Sequence, residues 1–560
     1  MSRSYLIFTM RFLSRALSAL FCVIPLVSSL TWAMPAQGQK IMVAGPSPQA
    51  PDIARDITSK GGNVIDVAVA VVLSMSVTQP YFASLGGGGF ALIKMGNDVK
   101  VLDFREMAPG KSNEKLFNDG DPNSSRNGGL ATGVPGIPAG LWAMHEKYGK
   151  LKWNQLFEAA LKAADKGFLV SSEWVENTNL NMKRFNIEGK KFLSKPNGSL
   201  LKPGDLLKQP QQIAMLKELQ KNGAKAFYEG SVARDIISAV DSQKGIFTEQ
   251  DMKNYKVRWL DPITTDFAGY KVYLMPPPSS GGVVIAQALR LMDKLKISKY
   301  APLSVDEFHY LIEIMKLSYR GRQLLGDPDF SKNPIAQLLD DKYLSDMAKL
   351  VKPDKAIDVE PLKNISFEKE QTTHIAIMDG GGNTVSMTIT LNGDYGSGIV
   401  TPKYGIAMNN EMDDFTTKPG QPNMFKLIQG SANLVRPGAR PLSSMSPTIV
   451  EKNGRTVLAL GAPGGPRITT AVLQVLYRVL TQPFDIDQAI QAPRVHHQFL
   501  PNKVIVDKLK FSPDVLAALK ARGHETDTGS TGRVYGIFRG EDGLLSGAAD
   551  QRGEGAAGGM

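Results

Sequence analysis

The sequence predicts an α/β sandwich, with strands packed between layers of helices. Three observations carry this expectation. From 136 to 255 the apolar residues recur mainly at helical spacing. Beyond Thr372 the stretches 374–378, 384–391, 404–409 and 456–460 are short, alternating and joined by glycine-rich turns. Residues 467–481 and Phe511–Arg522 then return to helical spacing. At 560 residues, 42% hydrophobic and 21% charged, the chain can bury a large core, and no internal repeat divides it.

Taken in order, the N-terminus reads as a secretory leader over 1–33. Arg3, Arg11 and Arg15 precede an apolar stretch at 16–30, broken by Pro25 and followed by small residues, so cleavage is expected after Ala33 or Ala36. That stretch is short for a membrane span, and no second one of 18 or more apolar residues follows, so no stable membrane span is expected. Cys22 is the only cysteine, so the mature chain would have no disulfide and no thiol chemistry. The predicted location is periplasmic or secreted. The net charge of +11 is spread without dense Lys/Arg runs, which predicts a solvated basic surface and no nucleic acid partner.

Ala50 to Val77 reads as helix interrupted at Gly61-Gly62. Ser84-Leu85-Gly86-Gly87-Gly88-Gly89-Phe90 then leads into a strand at Phe90–Lys94. The glycines allow close backbone approach, but neither a P-loop nor a dinucleotide fingerprint fits, because a strand follows. Residues 96–106 form a strand ending at Arg105-Glu106. Helices are expected at Trp153–Lys166 and Gln211–Asn222, and a Pro/Ser/Gly turn at 276–282 opens the helix Val283–Leu295. The stretch 300–365 reads as helical and charged, and the low-complexity tail from Gly553 as frayed.

One junction carries chemistry. In Gln371-Thr372-Thr373-His374 a charged approach meets a threonine pair at the head of a strand. Cleavage before Thr372 would put a hydroxyl nucleophile and a free α-amine on one residue, and an amine of pKa near ~8 can act as the hydroxyl's own base. A threonine pair alone is an ordinary strand feature. A hairpin turning through 379–383 would, however, return Thr390 beside Thr372, where a second hydroxyl could hold the amine. His374, His496 and His497 read as structural, since no GxSxG elbow accompanies them and an N-terminal threonine needs no histidine. The acids show no histidine at ligand spacing, so neither metal nor cofactor is expected.

The segments SLGGGGF (84–90), DFREMAP (103–109), QTTH (371–374), TITLN (388–392), NNEMDDF (409–415), RPLSSMSPT (440–448) and GAPGGPRI (461–468) resemble, in order and spacing, those of the γ-glutamyltranspeptidases. These are N-terminal-nucleophile (Ntn) hydrolases, also called glutathione hydrolases. The resemblance implies a four-layer αββα fold and self-cleavage between Gln371 and Thr372 into a large subunit (34–371) and a small catalytic subunit (372–560). It implies a γ-glutamyl ester on Thr372, formed from glutathione or another γ-glutamyl compound and passed to water, an amino acid or a dipeptide. Arg105, Ser443 and Ser444 would take the substrate α-carboxylate, and Asn392, Glu411 and Asp414 its α-ammonium. Gly464 and Gly465 would offer amides to the oxyanion. Asp413 is expected to be structural. Residues 416–438 resemble a lid whose aromatic wall residue, often Tyr in the family, is Phe425 here. Two rival readings are a glutaryl-type β-lactam side-chain acylase of the same superfamily and a non-catalytic periplasmic binding protein.

Overall fold

The computed structural model describes residues 35–359, 372–418, 420–508 and 510–560, so the leader and Gln371 lie outside the described residues. Two seven-stranded sheets form its centre. The first runs, edge to edge, Ala556–Gly559, Ile41–Gly45, Thr372–Asp379, Thr384–Thr390, Gly88–Met95, Asp98–Phe104 and Arg258–Leu260. The second runs Ala36–Gly38, Leu545–Ala549, Tyr535–Arg539, Arg455–Gly461, Thr448–Lys452, Tyr270–Leu274 and Ile263–Phe267. Neighbours in both sheets pair antiparallel.

Period-two alternation sorts the side chains of the central hairpin. Ile375, Ile377, Val385, Met387 and Ile389 join the core shared with the helices Ala50–Ser59 and Val64–Thr78. Ala376 and Met378 face the second sheet, packing with Ala459, Tyr535 and Ile537. Val64–Thr78 is buried on every face, as a helix wedged under a sheet must be, and Asn63 and Asp66 close its N-terminus with a capping box. Gly281–Leu295 and Arg467–Thr481 cover the outer face of the second sheet, and Val305–Arg320 packs against Gly281–Leu295. The layers are therefore helix, sheet, sheet, helix, as expected for an Ntn hydrolase.

Three local expectations are corrected. Tyr404–Asn409 forms no ladder: its residues bridge singly to Val400 and Gly86, because Asn409 turns to bond Gly86 O and Gly133 O at 2.8 and 2.7 Å. Within 300–359 the long helix is Val305–Arg320, followed by short turns and Asp341–Leu350. Its charges are largely inside, with Lys316 pairing Glu313 at 2.8 Å and His309 meeting His524 at 2.8 Å. The tail is not frayed. Ala556–Gly559 pairs with Ile41–Gly45, and Met560 O accepts from the amides of Gln39 and Lys40 at 2.9 and 2.7 Å. Its small residues are a packing requirement: a Cβ on Gly559 would sit 1.9 Å from Ile41 O.

Candidate active site

Thr372 opens its strand and pairs directly with Thr390 across the hairpin, so the two hydroxyls face each other at 3.3 Å. The alternation that buries Ile375 and Ile377 under helices sends Thr373 the same way and Thr372 toward the second sheet. Position along one strand thus separates the two threonines. Thr390 Oγ1 also accepts from the Asn392 amide at 2.8 Å, fixing the turn in which Asn392 adopts φ +74°. Asn392 Nδ2 donates to Asn410 O at 3.1 Å, and Asn410 Oδ1 accepts from Gly393 N at 2.9 Å.

Ten of the residues singled out in the sequence line one cavity: Arg105, Thr372, Thr390, Asn392, Glu411, Asp414, Phe425, Ser443, Ser444 and Gly465. The cavity is small, ≈ 20 Å³, room for about one or two waters. Gly464 is not in its lining. It stands one residue back at φ +130°, with Gly465 at φ +54°, and these two left-handed residues aim the chain into the helix Arg467–Thr481. Among the described residues neither glycine amide has an acceptor. The Ser443 hydroxyl accepts from Met445 N at 3.0 Å, which leaves its proton free to donate.

The charged groups are arranged differently from the expectation that Arg105 would stand opposite the acids. Its guanidinium pairs directly with Glu411 and, at 2.6 Å, with Asp414, while Nε donates to Pro441 O at 3.3 Å. Glu106 lies behind it, 3.7 Å from Nη1. All four side chains are buried. Burial alone would lower the Arg105 pKa, but the three carboxylates outweigh it and hold the value above normal. Burial raises Glu106 to about 7 and raises Glu411 and Asp414 as well, against the pull of Arg105. Among the described residues no donor meets either Glu106 oxygen or Oε2 of Glu411 at hydrogen-bond geometry, although the Glu106 and Glu411 carboxyls lie close enough to interact. The sequence, read locally, made Arg105-Glu106 a surface pair, and nothing local signals that both are enclosed.

From the loop after Asp414, two residues reach the cavity. Phe425 and Leu427 line it, and both are buried. Asp413 holds the loop, accepting from Met424 N at 2.8 Å and from Ser125 Oγ at 2.6 Å. Asn423 donates to Asp414 Oδ1 at 3.1 Å, and Gln429 to Asp414 O at 2.7 Å. Arg322, from the short turn Gly321–Leu324, also lines the cavity and was not anticipated. As a charged residue in a charged helical stretch, it carried no sequence signal.

The histidines lie in the interior. His374 bonds Thr388 at 2.9 Å, and burial lowers its pKa to about 3. His496 bonds Thr470 at 2.8 Å and is likewise lowered to about 3 by burial. His497, whose pKa burial holds well below the usual imidazole value, bonds Asn502 at 3.2 Å. None of the three lines the cavity. No group of three or more His, Cys, Asp or Glu able to hold a metal occurs among the described residues.

Comparison with known proteins agrees with this geometry. The chain is 40% identical over 530 residues to the glutathione hydrolase proenzyme of Escherichia coli (strain K12), covering 92% of this chain and 91% of that one. Its structure is similar to a cephalosporin acylase from Bacillus halodurans, with TM-score 0.84, 25% identity, and 94% and 97% of the two chains covered. It is also similar to γ-glutamyltranspeptidase from Helicobacter pylori, with TM-score 0.54, 35% identity, and 56% and 91% covered. Residues 50–560 match the gamma-glutamyltranspeptidase family, and the chain belongs to that family of Ntn-hydrolase enzymes.

Proposed function

We propose that the chain cleaves itself before Thr372 and then transfers γ-glutamyl groups from amides such as glutathione. The observation that carries this reading is the facing pair Thr372 and Thr390 in the lining of a buried cavity that also presents acids and guanidinium. In the precursor the Thr372 hydroxyl attacks the Gln371 carbonyl, the C–N bond breaks as the acyl group passes from nitrogen to oxygen and frees the α-amine, and hydrolysis of the resulting ester releases the Gln371 carboxylate and restores the Thr372 hydroxyl. In turnover Thr372 Oγ1 attacks the substrate γ-carbonyl carbon while its own amine takes the hydroxyl proton. The tetrahedral oxyanion is met by the amides at Gly464 and Gly465, a donor set whose loss costs about 10²–10³ in rate for one member. Collapse expels the amine with that proton and leaves an ester on Thr372. Water then yields glutamate, and an amino acid or dipeptide amine yields a new γ-glutamyl product.

Substrate selection follows from charge. A γ-glutamyl head carries an α-carboxylate for Arg105, Ser443 and Ser444, and an α-ammonium for Asn392, Glu411 and Asp414. A glutaryl amide lacks the ammonium and would leave three buried carboxyls, Glu106, Glu411 and Asp414, sharing the single Arg105 cation. The similarity in shape to a cephalosporin acylase makes this the comparison to run. Residues 34–371 and 372–560 are then the large and small subunits. Location in the periplasm or outside the cell follows from the leader, and no helix among the described residues is long and apolar enough to cross a membrane.

A denaturing gel of the purified protein should show two bands, the smaller beginning at Thr372 by N-terminal sequencing. Thr372→Ala should run as one band and lose γ-glutamyl anilide hydrolysis by about 10³-fold or more. Faster cleavage of glutaryl than of γ-glutamyl anilide would replace this reading with the acylase, and an uncut wild-type chain would favour the binding protein.

A further inference from the structure

We infer that Arg322 is a second guanidinium of the carboxylate subsite, an inference that rests on the γ-glutamyl reading above. Arg322 is buried and lines the cavity with Ser443 and Ser444. Its three nitrogens each donate to a neutral acceptor: Nε to Ser280 Oγ at 3.1 Å, Nη1 to Gln429 Oε1 at 2.8 Å and Nη2 to Leu442 O at 3.3 Å. The second N–H of Nη1 and of Nη2 is left over. Among the described residues no carboxylate lies within ion-pair distance of it. Asp414 acts on it only at longer range, and Arg105 and Tyr319 are the other charged or titratable groups acting on it.

A buried cation without an anion is costly, and proteins keep one mainly where a ligand supplies the countercharge. Burial does lower the Arg322 pKa, to about 10, so it stays charged at neutral pH. Arg105 presents the contrast. Its guanidinium is already met by Glu411 and Asp414. The cavity therefore contains one satisfied guanidinium and one lacking a negative partner. The anion the second lacks is the substrate α-carboxylate. That carboxylate would lie between Arg322 and the seryl pair, its ammonium turned toward the acids.

A simpler role must be separated from this one, because Arg322 also ties the lid through Gln429. Three anilides separate them: γ-glutamyl, glutaryl (carboxylate without amine) and 4-aminobutanoyl (amine without carboxylate). In Arg322→Gln, kcat/KM should fall about tenfold or more for the two carboxylate-bearing anilides relative to the 4-aminobutanoyl one, most of it in KM. Arg322→Lys should recover part of that preference. Gln429→Ala removes the lid tie but keeps the guanidinium, so its preference for carboxylate should persist. An equal fall on all three substrates, or loss of the preference in Gln429→Ala alone, would make Arg322 a lid anchor and overturn the inference. If neither Arg322 variant self-cleaves, Gln429→Ala decides the matter by the same criterion. A wild-type enzyme inactive on γ-glutamyl anilide would instead sink the function reading before Arg322 is tested.

Discussion

Two buried ionic clusters in this molecule are both built from arginines and carboxylates, two of each in one and one arginine with three acids in the other, and they differ in how many carboxylate oxygens are met. Around Asp507 and Asp550 every carboxylate oxygen has a donor. Asp550 Oδ2 accepts from Arg494 at 2.6 Å and Val534 N at 3.0 Å, and Oδ1 accepts from Arg552 Nη1 and N at 2.9 and 3.0 Å. Asp507 takes Arg552 at 2.6 Å, Arg494 N at 2.8 Å and the Thr531 hydroxyl. Burial would raise both acids, but Arg494 and Arg552 outweigh it and hold them below the usual range. Around Arg105 the balance reverses: three carboxyls are raised, and oxygens of Glu106 and Glu411 have no donor among the described residues. A network whose carboxylate oxygens are all met, finished in that sense although Arg494 Nε is left over, holds the fold. One with carboxylate oxygens left over marks where a ligand completes it.

The largest expected effect breaks the finished cluster. Asp550→Ala strands Arg494, wholly enclosed, without its carboxylate. The expected loss is about 3–5 kcal/mol, seen as a lower Tm or urea midpoint. A loss below about 1 kcal/mol would mean that water or movement satisfies Arg494, and the contrast between the clusters would fail.

The two clusters also differ in how far the sequence announced them. Thr372 and Thr390 were legible because a hairpin of fixed period brings position 390 back to 372, a local consequence of five turn residues. Arg105, Glu411, Asp414, Ser443, Ser444 and Gly465 were legible only through their motifs, since they come from distant segments that tertiary packing brings together. Arg322 and Glu106 were not read as site residues, because charge on a helical or strand-end segment normally means solvent, and enclosure is decided by what packs over it. The tail strand failed for a similar reason: Ala556–Gly559 has no β-propensity of its own and is held by Ile41–Gly45 and Met560.

A middle-sized effect appears in pH dependence, where the clusters should pull in opposite directions. Glu106 has a folded pKa raised from 4.5 to about 7, so the folded state keeps a proton that the unfolded chain gives up. Its ionisation cost is absent below about pH 4.5, grows through that window and is complete above about 7. Glu106→Gln is neutral throughout. Its stability relative to wild type should therefore rise by about 1–3 kcal/mol between pH 4.5 and 8. Asp550 behaves oppositely: lowered in the fold, it stabilises above about 3.8 and loses that contribution as pH falls further. Denaturant midpoints of the two proteins across pH 3–9 check this. A variant less stable than wild type at pH 8 would mean that ionised Glu106 is a needed partner of Arg105, and the site would join the finished type.

The smallest effect tests the contrast between adjacent residues. Asp413 and Asp414 are neighbours in the turn Glu411–Asp414, yet Asp413 is bonded to Ser125 and Met424 while Asp414 lines the cavity. Ser125→Ala removes one donor from Asp413 Oδ1 and leaves the Met424 amide on Oδ2, with Arg126 Nε 3.6 Å from Oδ1. The lid stays attached through Met424, so the change should be paid in stability, about 1–2 kcal/mol, with kcat and KM for γ-glutamyl anilide held within about twofold. A rise in KM without loss of stability would reverse the assignment. It would mean that the Ser125 hydroxyl positions the lid over the substrate, and that Asp413, like its neighbour, belongs to the unfinished cluster.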